Sequence, residues 1–180
     1  MLAHDVRPVI FYCNPNIYPA EEYHIRKNEI TRYAAELGLR IIDDDYDHDA
    51  WLRHIAGLER EPERGGRCLE CFKYRLLRTA MKCRELGIDE FTTTLASSRW
   101  KRLDQINAAG HWAAERVSTD DHPVHFDDRN WRKGGLQERR NELLRINGFY
   151  NQQYCGCEFS FRQRYGTPDA PQPIPHDALL

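Results

Sequence analysis

The sequence predicts an α/β protein, a parallel sheet flanked by helices. Three observations carry this. An apolar strand at residues 9–12 precedes a helix-periodic stretch at 20–37 and a second strand at 39–42. That strand–helix–strand order is the mark of a parallel crossover. Strand-like and helix-periodic stretches keep alternating down the chain. The length, 180 residues, suits one domain with a real core and is short for two.

The first strand, PVIFY, runs into CNPNIYP, whose prolines and asparagines specify a turn of fixed geometry. In the first helix Tyr23, Ile30, Tyr33, Ala34 and Leu37 recur at helical spacing, and Gly38 is its stop. The second strand ends in the acidic run Asp43, Asp44, Asp45. A short helix is predicted over 51–58 and is broken by EREPERGG. Cys68 opens the next, through Cys71, Tyr74, Leu77, Met81 and Leu86, and Gly87 closes it. EFTTTL, residues 90–95, has the threonine-rich composition of a third strand. ASSRW is a polar turn at its end. A helix over 102–109 is stopped by Gly110. A polar, irregular stretch follows, with a short strand at 124–126. Residues 136–146 form a last amphipathic helix, closed near Gly148. The predicted organisation is a single α/β catalytic domain over 1–160 and a loosely held proline-rich tail over 161–180. In an open parallel sheet ligands gather at the carboxyl ends of the strands. NPNIYP, DDDYDHD and ASSRW should therefore converge on one edge.

Composition excludes little. Lys plus Arg total 26 against 28 Asp plus Glu, a formal charge of -2. A nucleic-acid partner would need a local basic face rather than a basic total. MLAHDVRPVIF carries no apolar stretch of signal-peptide length, and no run approaches a membrane span. A cytoplasmic setting is the expectation, and clustered cysteines there point to metal or catalysis.

Chemistry concentrates in two cysteine pairs. Cys68 and Cys71 form C-x-x-C near a helix start, where backbone amides lower a thiol pKa and both sulfurs can face one metal. Zinc knuckles, iron–sulfur ligation and dithiol redox chemistry share this spacing. Cys155 and Cys157 are separated by one glycine in YNQQYCGCEFS, so a tight bend brings the thiols close. That pair suits a metal or a small, readily reduced disulfide. Cys83 sits in an apolar pattern and reads as core. Cys13 precedes the NPNIYP turn and is either a bystander or a functional thiol. The aspartates after the second strand, Asp47 among them, are a solvated loop with a helix cap, or hard ligands and acids. Arg129, Arg132 and Lys133 surround Trp131, and Arg139, Arg140 and Arg145 lie on the last helix. Such residues suit a phosphate backbone and a stacked base, or are ordinary charged surface.

Four segments, FYCNPNIYPAEEYHIRKNEI, YDHDAWLRHIAGLEREPERGGRCLECFKYRL, DEFTTTLASS and NQQYCGCEFS, resemble in order and spacing the QueH family of epoxyqueuosine reductases. The resemblance covers roughly residues 9–160. It implies reduction of the epoxide of epoxyqueuosine in the tRNA anticodon loop, giving queuosine. It also implies a Rossmann-like fold similar to the adenine-nucleotide α-hydrolase (HUP) group. The cofactor expected from it is a 4Fe–4S cluster, with an additional iron as an option. Cys68 and Cys71 match the cluster-ligating pair, and Cys155 and Cys157 the redox-active pair. Asp47 is the candidate acidic residue near the metal centre. The partners implied are tRNA carrying epoxyqueuosine and an electron donor. Family members normally place a strand ending in a CCAPC-like segment ahead of the FYNPNI stretch. The 180 residues contain no such segment, so two of four cluster ligands are expected to be missing. A late start, a degraded copy or a ligand-supplying second chain would each account for that.

Two other readings stand beside this one. C-x-x-C with C-G-C can build a closed four-sulfur zinc site in an RNA-contacting module without catalysis. Alternatively, the chain is a dithiol oxidoreductase with no metal.

Overall fold

The structure, a computed structural model, describes residues 6–98 and 100–166. It is an α/β fold of small parallel sheets with flanking helices, and the chain divides into two compact units. One unit takes the residues up to His48 together with those from Leu143 on; the other is Asp49–Glu142. The predicted tail beyond residue 166 lies outside the described residues.

In the first unit β1 (Ile10–Tyr12) is joined to β2 (Ile41–Asp43) through α1 (Ala20–Glu36). The two strands pair in parallel, with Ile10 opposite Ile41 and Tyr12 opposite Asp43, as the strand–helix–strand order requires. Gly38, at φ 61°, ends the helix in the left-handed region that favours glycine. Tyr12, Ile17 and Tyr23 form the unit's core, and Tyr46 stacks on Tyr23 at 4.2 Å between centroids. α6 (Glu158–Tyr165) completes the unit. The sequence assigned residues from 161 on to a loosely held tail, because EFSFRQRY has no apolar stripe to announce a helix.

The second unit is built on α3 (Gly66–Glu85) and α4 (Leu103–Val117). Phe72, Leu76, Ala80 and Cys83 of α3 meet Ile106, Ala109, Ala113 and Val117 of α4 in one buried cluster. β3 (Glu90–Phe91) and β4 (His125–Phe126) pair in parallel at its edge. The described strands thus form two two-stranded sheets rather than the single sheet predicted. The third strand is cut short because the Thr93 side chain accepts a hydrogen bond from the Leu95 amide and turns the chain into a 3-10 turn, Thr94–Ser97. The predicted stop at Gly110 also fails: α4 runs through it. Phe126 packs where a Cβ on Gly110 would stand, so the glycine serves a close approach and not a helix end.

α2 (His48–His54) starts and ends earlier than predicted, and it buries Trp51. α5 (Leu136–Ile146) falls at the predicted residues but buries none of them. Among the described residues no helix is long and apolar enough to cross a membrane.

Candidate functional site

The C-x-x-C pair stands in the first turns of α3, in the second unit. The helix cap, Gly65, offers no side-chain oxygen. Glu61 replaces it, its carboxylate accepting from the Gly66 amide at 2.9 Å. Arg67, 7% exposed, turns back and donates to the carbonyls of Glu59 and Glu61 at 2.8 and 2.5 Å. Gln105 on α4 donates to the Arg64 carbonyl at 3.0 Å. The loop before the cysteines is therefore held from three sides. Its tightest residue, Arg64, takes φ 69°. From there the Arg64 amide donates to the Cys68 sulfur at 3.2 Å. Backbone amides aimed at sulfur are among the contacts that orient and tune cysteine ligands of soft metals. Cys71 is one turn on and buried, while Cys68 is half-buried.

The C-G-C pair forms a turn in the first unit, directly before α6. Cys157 is the residue that caps α6, and it pairs with Ile17 in an isolated antiparallel bridge. The Tyr18 amide donates to the Gly156 carbonyl at 2.8 Å. Gly156 takes φ 116°, a conformation that side chains rarely adopt. The Tyr154 hydroxyl donates to the Tyr18 carbonyl. All six cysteines lie among the described residues and none forms a disulfide. The Cys157 thiol donates to the Ser160 hydroxyl at 3.4 Å, and the adjacent Cys155 thiol, with burial, pushes it far above its ordinary value. Cys157 thus stays protonated beside its neighbour.

Beneath the turn lies a buried charge. Glu22 is fully buried and is held by Arg26 Nε at 2.6 Å and by the Tyr150 hydroxyl at 2.7 Å. Burial and the bond to Glu22 push the Tyr150 phenol up, so it remains a donor. The sequence carried a signal for the first contact, since Glu22 and Arg26 stand four apart on one helix. Nothing local ties Tyr150 to them.

The loops after β1 and β2 are tied together. Tyr46 donates to the Ile17 carbonyl at 2.5 Å, and His48 Nδ1 is 2.7 Å from the Pro15 carbonyl. His48 Nε2 faces Glu158 Oε2 at 3.7 Å, one residue from Cys157. Asp47 is exposed immediately before His48. Asn16 is 3% exposed, and its Oδ1 has no hydrogen-bond partner among the described residues.

A family profile described as epoxyqueuosine reductase QueH matches residues 1–163. The chain belongs to the QueH family. It is 47% identical over 153 residues to a protein of Histophilus somni named epoxyqueuosine reductase QueH, covering 85% of this chain and 61% of that one. A Haemophilus influenzae protein of the same name is 44% identical over 162 residues, 90% of this chain and 64% of that one. One from Thermotoga maritima is 32% identical over 157 residues, 86% and 79%. The chain thus spans less than two thirds of the length of the first two relatives.

Within this QueH-family chain the basic residues divide by their partners. Arg132 is half-buried and donates to the carbonyls of Ala96 and Lys101, both at 3.0 Å. These bonds use two of its five N–H groups and hold the guanidinium against the backbone. Trp131 donates to the Thr92 hydroxyl at 3.3 Å, with Arg129 over its ring at 5.1 Å. Arg129 also lies 3.6 Å from Asp127. Lys133 is exposed. On α5 Arg139 pairs with Glu142 at 2.5 Å and Arg140 donates to Asn141 at 3.4 Å. Cys83 donates to the Ile88 carbonyl at 2.9 Å, and burial pushes its thiol up to about 11. It is a core residue, as the apolar pattern predicts. Among the described residues no three His, Cys, Asp or Glu side chains are grouped to hold a metal ion. The C-x-x-C pair fits two thiolate positions of a soft metal group, on the chemistry of its donors and the amide aimed at Cys68.

Proposed function

We propose that the chain is an epoxyqueuosine reductase acting on tRNA, with an iron–sulfur cofactor held in part by Cys68 and Cys71. The parallel β1–α1–β2 crossover supports a Rossmann-like reading of the fold, of the adenine-nucleotide α-hydrolase type. The observation that carries the chemistry is the pair of free thiols, Cys155 and Cys157, on one constrained glycine turn. It occurs in a chain whose match to epoxyqueuosine reductase runs over residues 1–163.

Converting an epoxide to an alkene consumes two electrons and two protons and releases the oxygen as water. A dithiol supplies both when it closes to a disulfide. Cys157, held protonated by its neighbour, keeps one of those protons at its sulfur. The Ile17 and Tyr18 contacts fix the backbone of the turn that carries both sulfurs. His48, with Nδ1 on the Pro15 carbonyl, keeps its other nitrogen toward Glu158. Asp47 beside it is the proposed acid near the cofactor. Bound through Cys68 and Cys71, an iron–sulfur group would supply Lewis-acid and electron-transfer chemistry. An external electron donor would reopen the disulfide after each turnover.

The test is iron, sulfide and zinc analysis of anaerobically purified protein, followed by assay on tRNA carrying epoxyqueuosine. Roughly four irons with matching sulfide and queuosine formation support the proposal. Zinc alone, without queuosine, would replace it with a non-catalytic zinc module. No metal, with a titratable Cys155–Cys157 couple, would leave a metal-free dithiol oxidoreductase.

A further inference from the structure

We propose that Arg26 is a positioning residue for the Cys155–Cys157 couple, clamping the Cys155-Gly156-Cys157 turn from beneath and thereby favouring its disulfide. This rests on the redox reading of that pair.

Arg26 Nε is fixed on buried Glu22 at 2.6 Å. The rest of the guanidinium points at the turn. Nη1 reaches the Cys155 carbonyl at 3.5 Å, the long end of hydrogen bonding. A Cβ on Gly156 would lie 2.8 Å from the same Nη1, so the guanidinium packs directly against the glycine. The Tyr154 ring covers the Arg26 Cζ at 5.4 Å. Nη2 is buried with no hydrogen-bond partner among the described residues. An arginine held by one nitrogen, facing the turn with a second and covered by a ring, is placed to fix backbone geometry. Lysine cannot reproduce the planar fork. Glu22, by accepting from both Arg26 and Tyr150, sets the direction in which that fork points.

A turn held in one geometry keeps the second thiol at high effective concentration for attack on a mixed disulfide. In glutathione buffer the reaction is balanced. Two protein thiols and one glutathione disulfide give one protein disulfide and two molecules of glutathione. A loosened turn spends less time with its sulfurs in reach, so its disulfide should require a more oxidising buffer.

The experiment equilibrates the full chain in glutathione buffers of stepped ratio, quenches with an alkylating reagent, and reads the tryptic peptide 146–162 by mass. Arg26→Met alone would strand a buried carboxylate and risks misfolding. The variants are therefore Arg26→Lys, which keeps the charge, and the double substitution Glu22→Gln with Arg26→Met, which removes both charges. Circular dichroism and melting temperature are recorded for each. Both variants are expected to shift the midpoint toward oxidising buffer, the double variant by about tenfold, or ~30 mV for a two-electron couple. Midpoints within twofold of the parent, or a shift toward reducing buffer, overturn the clamp whatever the melting temperatures do. If the parent chain itself forms no 155–157 disulfide at any ratio, the redox reading falls, and this inference with it.

Discussion

Phe126 lies so close over Gly110 that a Cβ on the glycine would stand 2.3 Å from two ring carbons. The ring is 7% exposed and belongs to the core of its unit. Gly110→Ala therefore sets two effects against each other. Alanine gains up to about 1 kcal/mol of helix propensity. Overpacking a buried aromatic costs about 1–3 kcal/mol, and so close an overlap puts the cost at the upper end. A net loss of about 2 kcal/mol is expected. A urea midpoint equal to or above the parent's would refute the close approach.

Tyr150→Phe removes one of two donors from the buried Glu22 carboxylate. A hydrogen bond to a charged group contributes about 1.5–3 kcal/mol, so a loss of that size is expected. Tyr33→Phe serves as the comparison, since the Tyr33 ring packs edge-on against Phe149 and phenylalanine keeps that contact. If the two variants unfold at the same urea concentration, Tyr150 is not holding Glu22.

Glu158 predicts a pH dependence. His48, with Nε2 at 3.7 Å, holds its carboxyl below the ordinary value of 4.5, and the nearby Arg162 guanidinium adds to this against the cost of burial. A carboxyl lowered in the folded state adds stability that is fully present above its unfolded value and is lost as pH falls through the folded one. Stability should thus decline as pH drops below about 4.5, and Glu158→Gln should flatten that part of the decline. Equal acid slopes for parent and variant in urea melts would assign the acid limb to other groups.

Much of the first unit could be read from its residues. An apolar strand, a periodic helix and a glycine stop lie consecutively, and the parallel pairing follows from connectivity. The limits of local reading show at Gly110, where a glycine that looks like a stop is demanded by a ring 16 positions away. They show again at α6, whose burial rests on Phe161 and the residues beside Cys157 rather than on an apolar face. The two cysteine pairs were legible as pairs because their spacing is local. Their supports were not. Arg67 reads as a surface cation until its carbonyl partners are seen, and Arg26 meets Cys155 across 129 residues.

The basic residues should separate by experiment as they do by structure. Substituting Arg139 and Arg140 together by glutamine should weaken tRNA binding and reduce the log–log salt slope by about 1.5, near what two phosphate contacts contribute. Arg132→Met should lower the melting temperature, since it removes the bonds to the Ala96 and Lys101 carbonyls. An unchanged slope in the α5 double variant would make that helix ordinary surface.

The cysteine pairs should fail differently. In an active background that carries all four cluster ligands, Cys68→Ser is expected to lose iron and queuosine formation together. Cys155→Ser should retain iron, lose turnover, and no longer form an intramolecular disulfide. Iron content, thiol count and modified tRNA are measured for each. Loss of iron in Cys155→Ser would make the C-G-C pair a ligand and reverse this division of roles.

The unit that carries the C-G-C turn is assembled from two distant stretches of chain, with residues 49–142 folding as a unit of their own in the interval. A ribosome therefore delivers β1 and α1 well before the turn, and the Tyr154 bond to Tyr18 spans 136 positions. Compact units tend to fold as they emerge, so the intervening unit can shorten the effective span that closure must bridge. Until closure Glu22 has Arg26 but not Tyr150, and its carboxylate must stay in water. The thiols themselves are neighbours in the chain, but their clamp is not: a nascent chain stalled before residue 155 carries Glu22 and Arg26 with no turn to hold.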